Sequence, residues 1–125
     1  MMYKRQTFFN AFKNAFNGLW YFFLHERNGK VQCLAAINAI GCGWLLAINT
    51  VQWICILSCI GAVLSLEMMN SALEKLCDVV QEDYHPVIKI VKDVAAGAVL
   101  WASAVSIAIG CFIYLPKIIV LCSNN

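Results

Sequence analysis

Residues 31–66 read VQCLAAINAIGCGWLLAINTVQWICILSCIGAVLSL, and these 36 residues include no Asp, Glu, Lys or Arg. As one α-helix the run would be about 54 Å long, whereas the hydrocarbon core of a bilayer is about 30 Å thick. Two membrane crossings joined by a tight turn therefore fit the run better than one. The predicted turn is INTVQ (48–52), because Asn49 and Thr50 are the most turn-prone residues near the middle of the run.

A second charge-free run, Val94 to Pro116, predicts a third crossing. The composition agrees with a membrane protein, because 62% of the 125 residues are hydrophobic and 13% are charged, against about 45–50% and about 25% in soluble domains. Since lipid offers backbone groups no hydrogen-bond partners, each crossing must be helical. We therefore expect one all-α integral-membrane domain over residues 1–125. Its crossings are predicted at about 31–48, 52–80 (including a cytoplasmic extension) and 87–119.

The distribution of Lys and Arg predicts the orientation of the crossings, because cytoplasmic loops carry an excess of these residues. The turn near Asn49 has none, and the C-terminal tail holds only Lys117. We therefore expect a protein of the inner (cytoplasmic) membrane, with the N-terminus and the segment 67–93 in the cytoplasm and the C-terminus outside. The predicted cytoplasmic basic residues are Lys4, Arg5, Lys13, Arg27, Lys30, Lys75, Lys89 and Lys92.

The N-terminal segment, about residues 4–26, has the pattern of an amphipathic surface helix. At about 100° per residue, its Phe and Leu side chains fall on one side and its Asn, Gln and Lys side chains on the other. Such a helix can lie in the membrane interface. Its apolar stripe can equally pack on another helix of the same protein, and the pattern allows both.

Directly after the first apolar run, residues 67–78 read EMMNSALEKLCD. Glu67, Asn70, Glu74 and Asp78 are spaced i, i+3, i+7 and i+11, so they share one face of a helix. We call these four residues the acidic stripe. An ordinary solvated helix face has the same pattern and is an equally good interpretation from periodicity alone. However, a carboxylate this close to hydrocarbon is costly and usually has a partner or a function.

Other charged residues fall at the same depth, namely Glu26 before the first crossing and Lys89, Lys92 and Asp93 at the start of the last. Carboxylates with few His or Cys partners suit Mg²⁺, which commonly takes one or two carboxylates plus phosphate oxygens. Lysines suit the phosphates themselves, and a further carboxylate could take a proton from a hydroxyl. Together these groups indicate phosphoryl transfer from a nucleotide to an alcohol.

Residues 82–86 read EDYHP and predict the start of a helix. Asp83 or His85 would lie near the cap and Pro86 at the first helical position. A ligand contact by Tyr84 or His85 is the alternative. Spacing alone favours the helix start.

LEMMNSALEKLCD (66–78) resembles the signature of the prokaryotic diacylglycerol kinase family, E-x-x-N-[ST]-A-[IL]-E-x-x-x-D. FKNAFNGLWYFFLHERN (12–28), EDYHPVIKIVKDVAAGAVL (82–100) and the three-crossing layout are also similar to that family, so the resemblance runs from about residue 7 to residue 119. It implies an ATP-dependent lipid kinase. It also implies a homotrimeric bundle of three-helix protomers, each with a surface helix, and active sites between protomers at the cytoplasmic surface.

The resemblance further implies roles for individual residues. Glu67 would be the general base toward the lipid hydroxyl, and Glu26 and Glu74 would hold Mg²⁺. Asn70 would support the base and the metal-bound phosphates, and Lys92 would contact the phosphates of ATP. The other implied nucleotide contacts are Asp78, Asp93, Tyr84 and His85.

The family divides into enzymes that act on undecaprenol and enzymes that act on diacylglycerol. AFNGL (15–19), ERN (26–28) and YHPVIKIVKDVAAGAVL (84–100) resemble the undecaprenol kinases more closely, so the expected product is undecaprenyl phosphate. Conversion of diacylglycerol to phosphatidic acid is the alternative, and a non-enzymatic small membrane interaction protein is a distant one. Gly29 and Gln32 depart from the family pattern where they could touch lipid. The expected partners are ATP, the lipid alcohol and further copies of the chain, with no nucleic acid.

Overall fold

The computed structural model describes residues 7–125, and these form α-helices and no β-strand. In chain order the helices are α1 (Phe8–His25), α2 (Arg27–Leu45), α3 (Thr50–Val80) and α4 (Pro86–Ser123). The predicted all-helical class is therefore confirmed. Residues 4–6 of the predicted surface helix lie outside the described residues.

Two of these helices, α3 and α4, are long and apolar enough to cross a membrane. They have 31 and 38 residues, or about 46 and 57 Å, so each extends well beyond a hydrocarbon core of about 30 Å. α2 has 19 residues, about the length of one crossing. It is not among the candidate spans, because Lys30, Gln32 and Asn38 lower its hydropathy. The crossing at about 31–48 therefore stays a prediction.

A corner without a connecting loop joins α1 to α2. α1 ends because the backbone of Glu26 is extended, and α2 begins at the next residue. Phe22 is buried inside this corner. A Cβ on Gly29 would lie 2.8 Å from the Phe22 ring and 3.2 Å from the Phe22 carbonyl oxygen, so only glycine fits there without a shift. The departure from the family pattern at Gly29 thus has a packing reason, and Gly29 is buried rather than exposed to lipid.

The connection between α2 and α3 occupies residues 46–49, slightly earlier than the predicted turn at 48–52. Ala47 makes the reversal with φ 49°, in the left-handed region. Asn49 instead caps α3: its side chain accepts a hydrogen bond from the Gln52 N–H, and the Gln52 side chain accepts one from the Asn49 N–H. This capping box makes Thr50 the first helical residue, which is why the predicted turn lies too late.

The start of α4 is the one that EDYHP predicts. His85 is the cap, its Nδ1 accepting a hydrogen bond from the Val87 N–H at 3.2 Å, and Pro86 is the first helical residue. α4 then continues through Pro116 to Ser123. Leu46 and Ala47 line the same surface pocket as Val120, so the 46–49 turn and the end of α4 lie together.

The helices pack around a small core and leave most apolar side chains outside. The contact between α3 and α4 is the most extensive, and Ile48, Ile56 and Ile113 form a buried cluster. The Tyr114 hydroxyl donates a hydrogen bond to the Ala39 carbonyl at 2.7 Å, which ties α4 to α2. Such extensive exposed apolar surface is typical of a lipid environment. The exposed side chains include Phe8, Phe12, Phe16, Leu100, Trp101 and Phe112.

Candidate active site

The structure divides the acidic stripe into a buried half and an exposed half. Glu67 and Asn70 are buried, with 3% and 5% of their surfaces exposed. Glu74 and Asp78, further along α3, are exposed. Because burying a carboxylate is costly unless it is paired, a solvated helix face does not describe the first half of the stripe.

Two buried oxygens of the stripe have no hydrogen-bond partner within residues 7–125, namely Glu67 Oε1 and Asn70 Oδ1. Asn70 Nδ2 donates a long hydrogen bond, 3.4 Å, to Glu74 Oε1. Buried polar atoms in native proteins are nearly always paired, so two unpaired oxygens one helical turn apart need an explanation. Both are acceptors, and they suit a hydroxyl proton or a cation.

Glu26 is brought to the stripe from the corner between α1 and α2. Lys75 Nζ lies 2.9 Å from Glu26 Oε1 and 5.5 Å from the centroid of the Tyr21 ring. The contact places Glu26 against α3 at the level of Glu74, the residue directly before Lys75. Sequence reasoning counted Lys75 only toward orientation, because the direction of its side chain depends on where α1 packs.

A second ion pair connects the stripe to α4. Lys92 Nζ lies 2.6 Å from Asp78 Oδ1, so the two predicted nucleotide contacts are adjacent. Asp93 instead pairs with Lys89, four residues earlier on α4, also at 2.6 Å. Both pairs are substantially exposed to solvent. We call this region, made up of residues 21–30 and 67–93, the polar end of the molecule.

Tyr84 and His85 lie in the connection between α3 and α4 at the polar end. Tyr84 is 77% exposed. His85 Nδ1 caps α4, so the helix start that the spacing favoured is confirmed. A nucleotide contact by either residue remains a prediction.

The predicted metal ligands fit a magnesium site that is completed by phosphate. Within residues 7–125, no cluster of three or more His, Cys, Asp or Glu side chains could hold a metal ion by itself. Mg²⁺ commonly needs only one or two protein carboxylates when phosphates supply further ligands. The Glu26 carboxylate already contacts a cation, the Lys75 ammonium, and Glu74 directly precedes Lys75 on α3. The donor set therefore suits Mg²⁺ bound together with a nucleotide.

An apolar cavity of about 430 Å³ lies between α2, α3 and α4. Val63 and Leu64 line it about one turn before Glu67, and Gln32 and Ser103 are among its few polar residues. The Ser103 hydroxyl is buried and has no partner within the described part of the chain. Sequence reasoning did not find the cavity, since its lining comes from three separate helices. It places apolar space beside the buried carboxylate, which is what a lipid alcohol requires.

Known proteins are similar to this chain over most of its length. The family model for prokaryotic diacylglycerol kinase matches residues 13–114, which contain every predicted site residue. The undecaprenol kinase of Bacillus subtilis (strain 168) is 38% identical over 111 residues, covering 89% of this chain and 90% of that protein. A diacylglycerol kinase of Synechocystis sp. is 34% identical over 114 residues, 89% of this chain and 64% of the relative. The diacylglycerol kinase of Escherichia coli (strain K12) is 24% identical over 99 residues, 79% of this chain and 81% of the relative.

Proposed function

This chain belongs to the prokaryotic diacylglycerol kinase family and is a lipid kinase, and on that premise we propose that it transfers a phosphoryl group from ATP to undecaprenol at the cytoplasmic surface of the inner membrane. One observation carries the proposal. The Glu67 carboxylate is buried, its Oε1 has no partner within residues 7–125, and the apolar cavity begins one helical turn away. Membership of a kinase family disfavours a purely non-enzymatic interaction protein.

In the proposed reaction, the oxygen of the lipid hydroxyl attacks the γ-phosphorus of ATP. The bond between that phosphorus and the β,γ-bridging oxygen breaks, and ADP leaves. The hydroxyl proton passes to the Glu67 carboxylate, because a general base must lie within hydrogen-bond reach of the proton that it takes. Glu67 is the acidic residue of α3 nearest to the apolar run, so it is best placed to meet a hydroxyl that arrives from the bilayer.

The rest of the polar end would bind the nucleotide. Glu26 and Glu74 would hold Mg²⁺, which when bound neutralises charge on the phosphoryl group being transferred. Asn70, buried between Glu67 and Glu74 along α3, supports the base and the phosphates. Lys92 contacts the ATP phosphates from α4, as lysines do in other phosphate sites. The remaining nucleotide contacts are Asp78, Asp93, Tyr84 and His85.

The proposed assembly is a homotrimer with active sites between protomers. In each protomer α2, α3 and α4 cross the membrane, and α1 lies on the cytoplasmic surface with the N-terminus inside. Two features support this arrangement. The polar end leaves Glu74 and Asp78 exposed on one chain, which is too small to enclose a nucleotide, and Lys and Arg concentrate at that end.

Undecaprenol is the preferred substrate in this proposal, and diacylglycerol is the alternative. The relative named undecaprenol kinase is 38% identical to this chain, and the relatives named diacylglycerol kinase are 34% and 24% identical. The cavity of about 430 Å³ is within the range for a single small ligand, about 300–1,000 Å³. It has room for part of one lipid chain, and the preference for undecaprenol rests on the relatives.

The test is phosphoryl transfer to both lipids side by side. Purified protein in a bilayer is incubated with radiolabelled ATP, Mg²⁺ and equal mole fractions of undecaprenol and diacylglycerol. A reaction without either lipid alcohol is the control for ATP hydrolysis. We expect undecaprenyl phosphate to form faster by about tenfold or more, in the range that apolar pockets achieve. Faster formation of phosphatidic acid would overturn the substrate assignment and leave the kinase. No phosphorylated lipid from either alcohol would overturn the function.

A further inference from the structure

Lys75 connects three parts of the polar end. Its ammonium lies 2.9 Å from the Glu26 carboxylate at the α1–α2 corner and 5.5 Å from the ring of Tyr21 on α1. The Lys75 side chain is 54% exposed, whereas that of Glu26 is only 21% exposed. The lysine can therefore withdraw into solvent, while the carboxylate stays in place.

The other two ion pairs at the polar end do not involve a proposed metal ligand. Lys92 pairs with Asp78 and Lys89 pairs with Asp93. Lys75 alone, among the ion pairs of residues 7–125, contacts a carboxylate assigned to Mg²⁺. An ammonium nitrogen 2.9 Å from Glu26 Oε1 occupies the position of a cation at that oxygen, so the lysine and a divalent metal compete for it.

We infer that Lys75 is a positioning residue that holds Glu26 in the metal-free enzyme and is displaced when a divalent cation binds. The inference rests on the proposed function, in which Glu26 is a metal ligand. Lysine suits this role, because its compact charge sits on a flexible four-carbon stem. The pair is partly exposed to solvent, and such pairs are weak. Lys75 can thus orient Glu26 without preventing the metal from binding, and it sets part of the metal requirement.

The test is Mn²⁺ affinity at a fixed concentration of a non-hydrolysable ATP analogue, with protein-bound Mn²⁺ measured by equilibrium dialysis of the full-length protein in detergent. Lys75→Met should bind Mn²⁺ about 1.5- to 5-fold more tightly than the parent, the range expected for loss of an exposed ion pair. Lys75→Arg keeps the charge and should bind no more tightly than the parent. Lys30→Met is the control, since it removes an exposed lysine near the same corner that has no assigned role in the site, and its affinity should stay close to the parent value.

A second pair of variants separates this inference from the metal assignment. In a Glu26→Gln background, Lys75→Met should change the Mn²⁺ affinity less than it does in the parent, because the two side chains form one ion pair. If Glu26→Gln weakens Mn²⁺ binding but Lys75→Met does not tighten it beyond the Lys30→Met control, the inference is wrong and Glu26 remains a ligand. If Glu26→Gln leaves Mn²⁺ affinity unchanged, both the inference and the metal role of Glu26 are wrong, while lipid phosphorylation by the parent still decides the function.

Discussion

At the scale of single residues, burial is what distinguishes the acidic stripe from a solvated helix face. The spacing of Glu67, Asn70, Glu74 and Asp78 predicted that they share a face, and they lie on one helix, α3. The spacing could not predict that the first two are buried and the last two exposed. That difference depends on how the neighbouring helices pack around α3, and the residue spacing within one helix carries no information about this packing.

Glu74→Gln should raise the Mg²⁺ concentration needed for half-maximal rate and also lower the maximal rate. The amide can still accept the hydrogen bond from Asn70, but it loses the charge that a hard cation prefers. The measurement is the initial rate across a Mg²⁺ titration. Glu82→Gln is the control, because Glu82 is an exposed carboxylate in the same region without an assigned role. A Mg²⁺ dependence equal to that of the control would remove Glu74 from the metal site.

At the scale of helices, the helix ends that are encoded by neighbouring residues were predicted, and those that depend on contacts between helices were not. The EDYHP start is confirmed, because Pro86 and a capping side chain are encoded within five residues. The turn after α2 was placed slightly late, because Asn49 is equally suited to a turn and to a cap, and only the reciprocal bond with Gln52 decides. The corner at Glu26 was not predicted. It depends on the contact between Gly29 and Phe22, which belong to different helices.

Gly29→Ala should destabilise the protein, since the added Cβ would lie 2.8 Å from the Phe22 ring and 3.2 Å from a backbone oxygen. Overpacking of this kind costs about 1–3 kcal/mol. Gly18→Ala is the matched control, because no atom lies within 4 Å of its added Cβ, and alanine is the better helix former by about 1 kcal/mol. Thermal unfolding in detergent compares the two. Equal stability of both variants would mean that the corner adjusts without cost.

At the scale of the whole molecule, the apolar exterior and the polar end explain where the reaction takes place. In the proposed reaction the lipid hydroxyl arrives from the bilayer and ATP from water, so the reacting groups would meet where α3 leaves the membrane. Composition predicted the membrane class, and the two long apolar helices agree with it. The cavity between α2, α3 and α4 could not be predicted from residue patterns, because its lining comes from three separate helices.

The orientation predicts that the two ends of α4 lie on opposite sides of the membrane. The test introduces a single cysteine at Asp83 or at Ser123, in a version of the protein that lacks the seven native cysteines. Both positions are exposed. In right-side-out vesicles, an impermeant thiol reagent should label position 123 and leave position 83 unlabelled until the vesicles are opened. Labelling of both positions from outside would contradict the orientation.

The proposed assembly predicts a particle that contains three chains. Native mass spectrometry after gentle removal of detergent should give a mass of about three times 13.9 kDa, because a single chain leaves the polar end open. A fully active preparation that is monomeric or dimeric would contradict sites formed between three protomers.

The central claim, that Glu67 takes the proton of the lipid hydroxyl, is tested most directly by the kcat of Glu67→Gln. Glutamine keeps the shape of the side chain but cannot serve as the base, and loss of general-base catalysis costs about 10²–10⁴-fold in rate. We predict a fall in kcat of that size with undecaprenol as substrate, while the affinity for ATP, measured separately, stays close to that of the parent. A kcat within about threefold of the parent, far outside the general-base range, would contradict the claim and make Glu67 a structural residue.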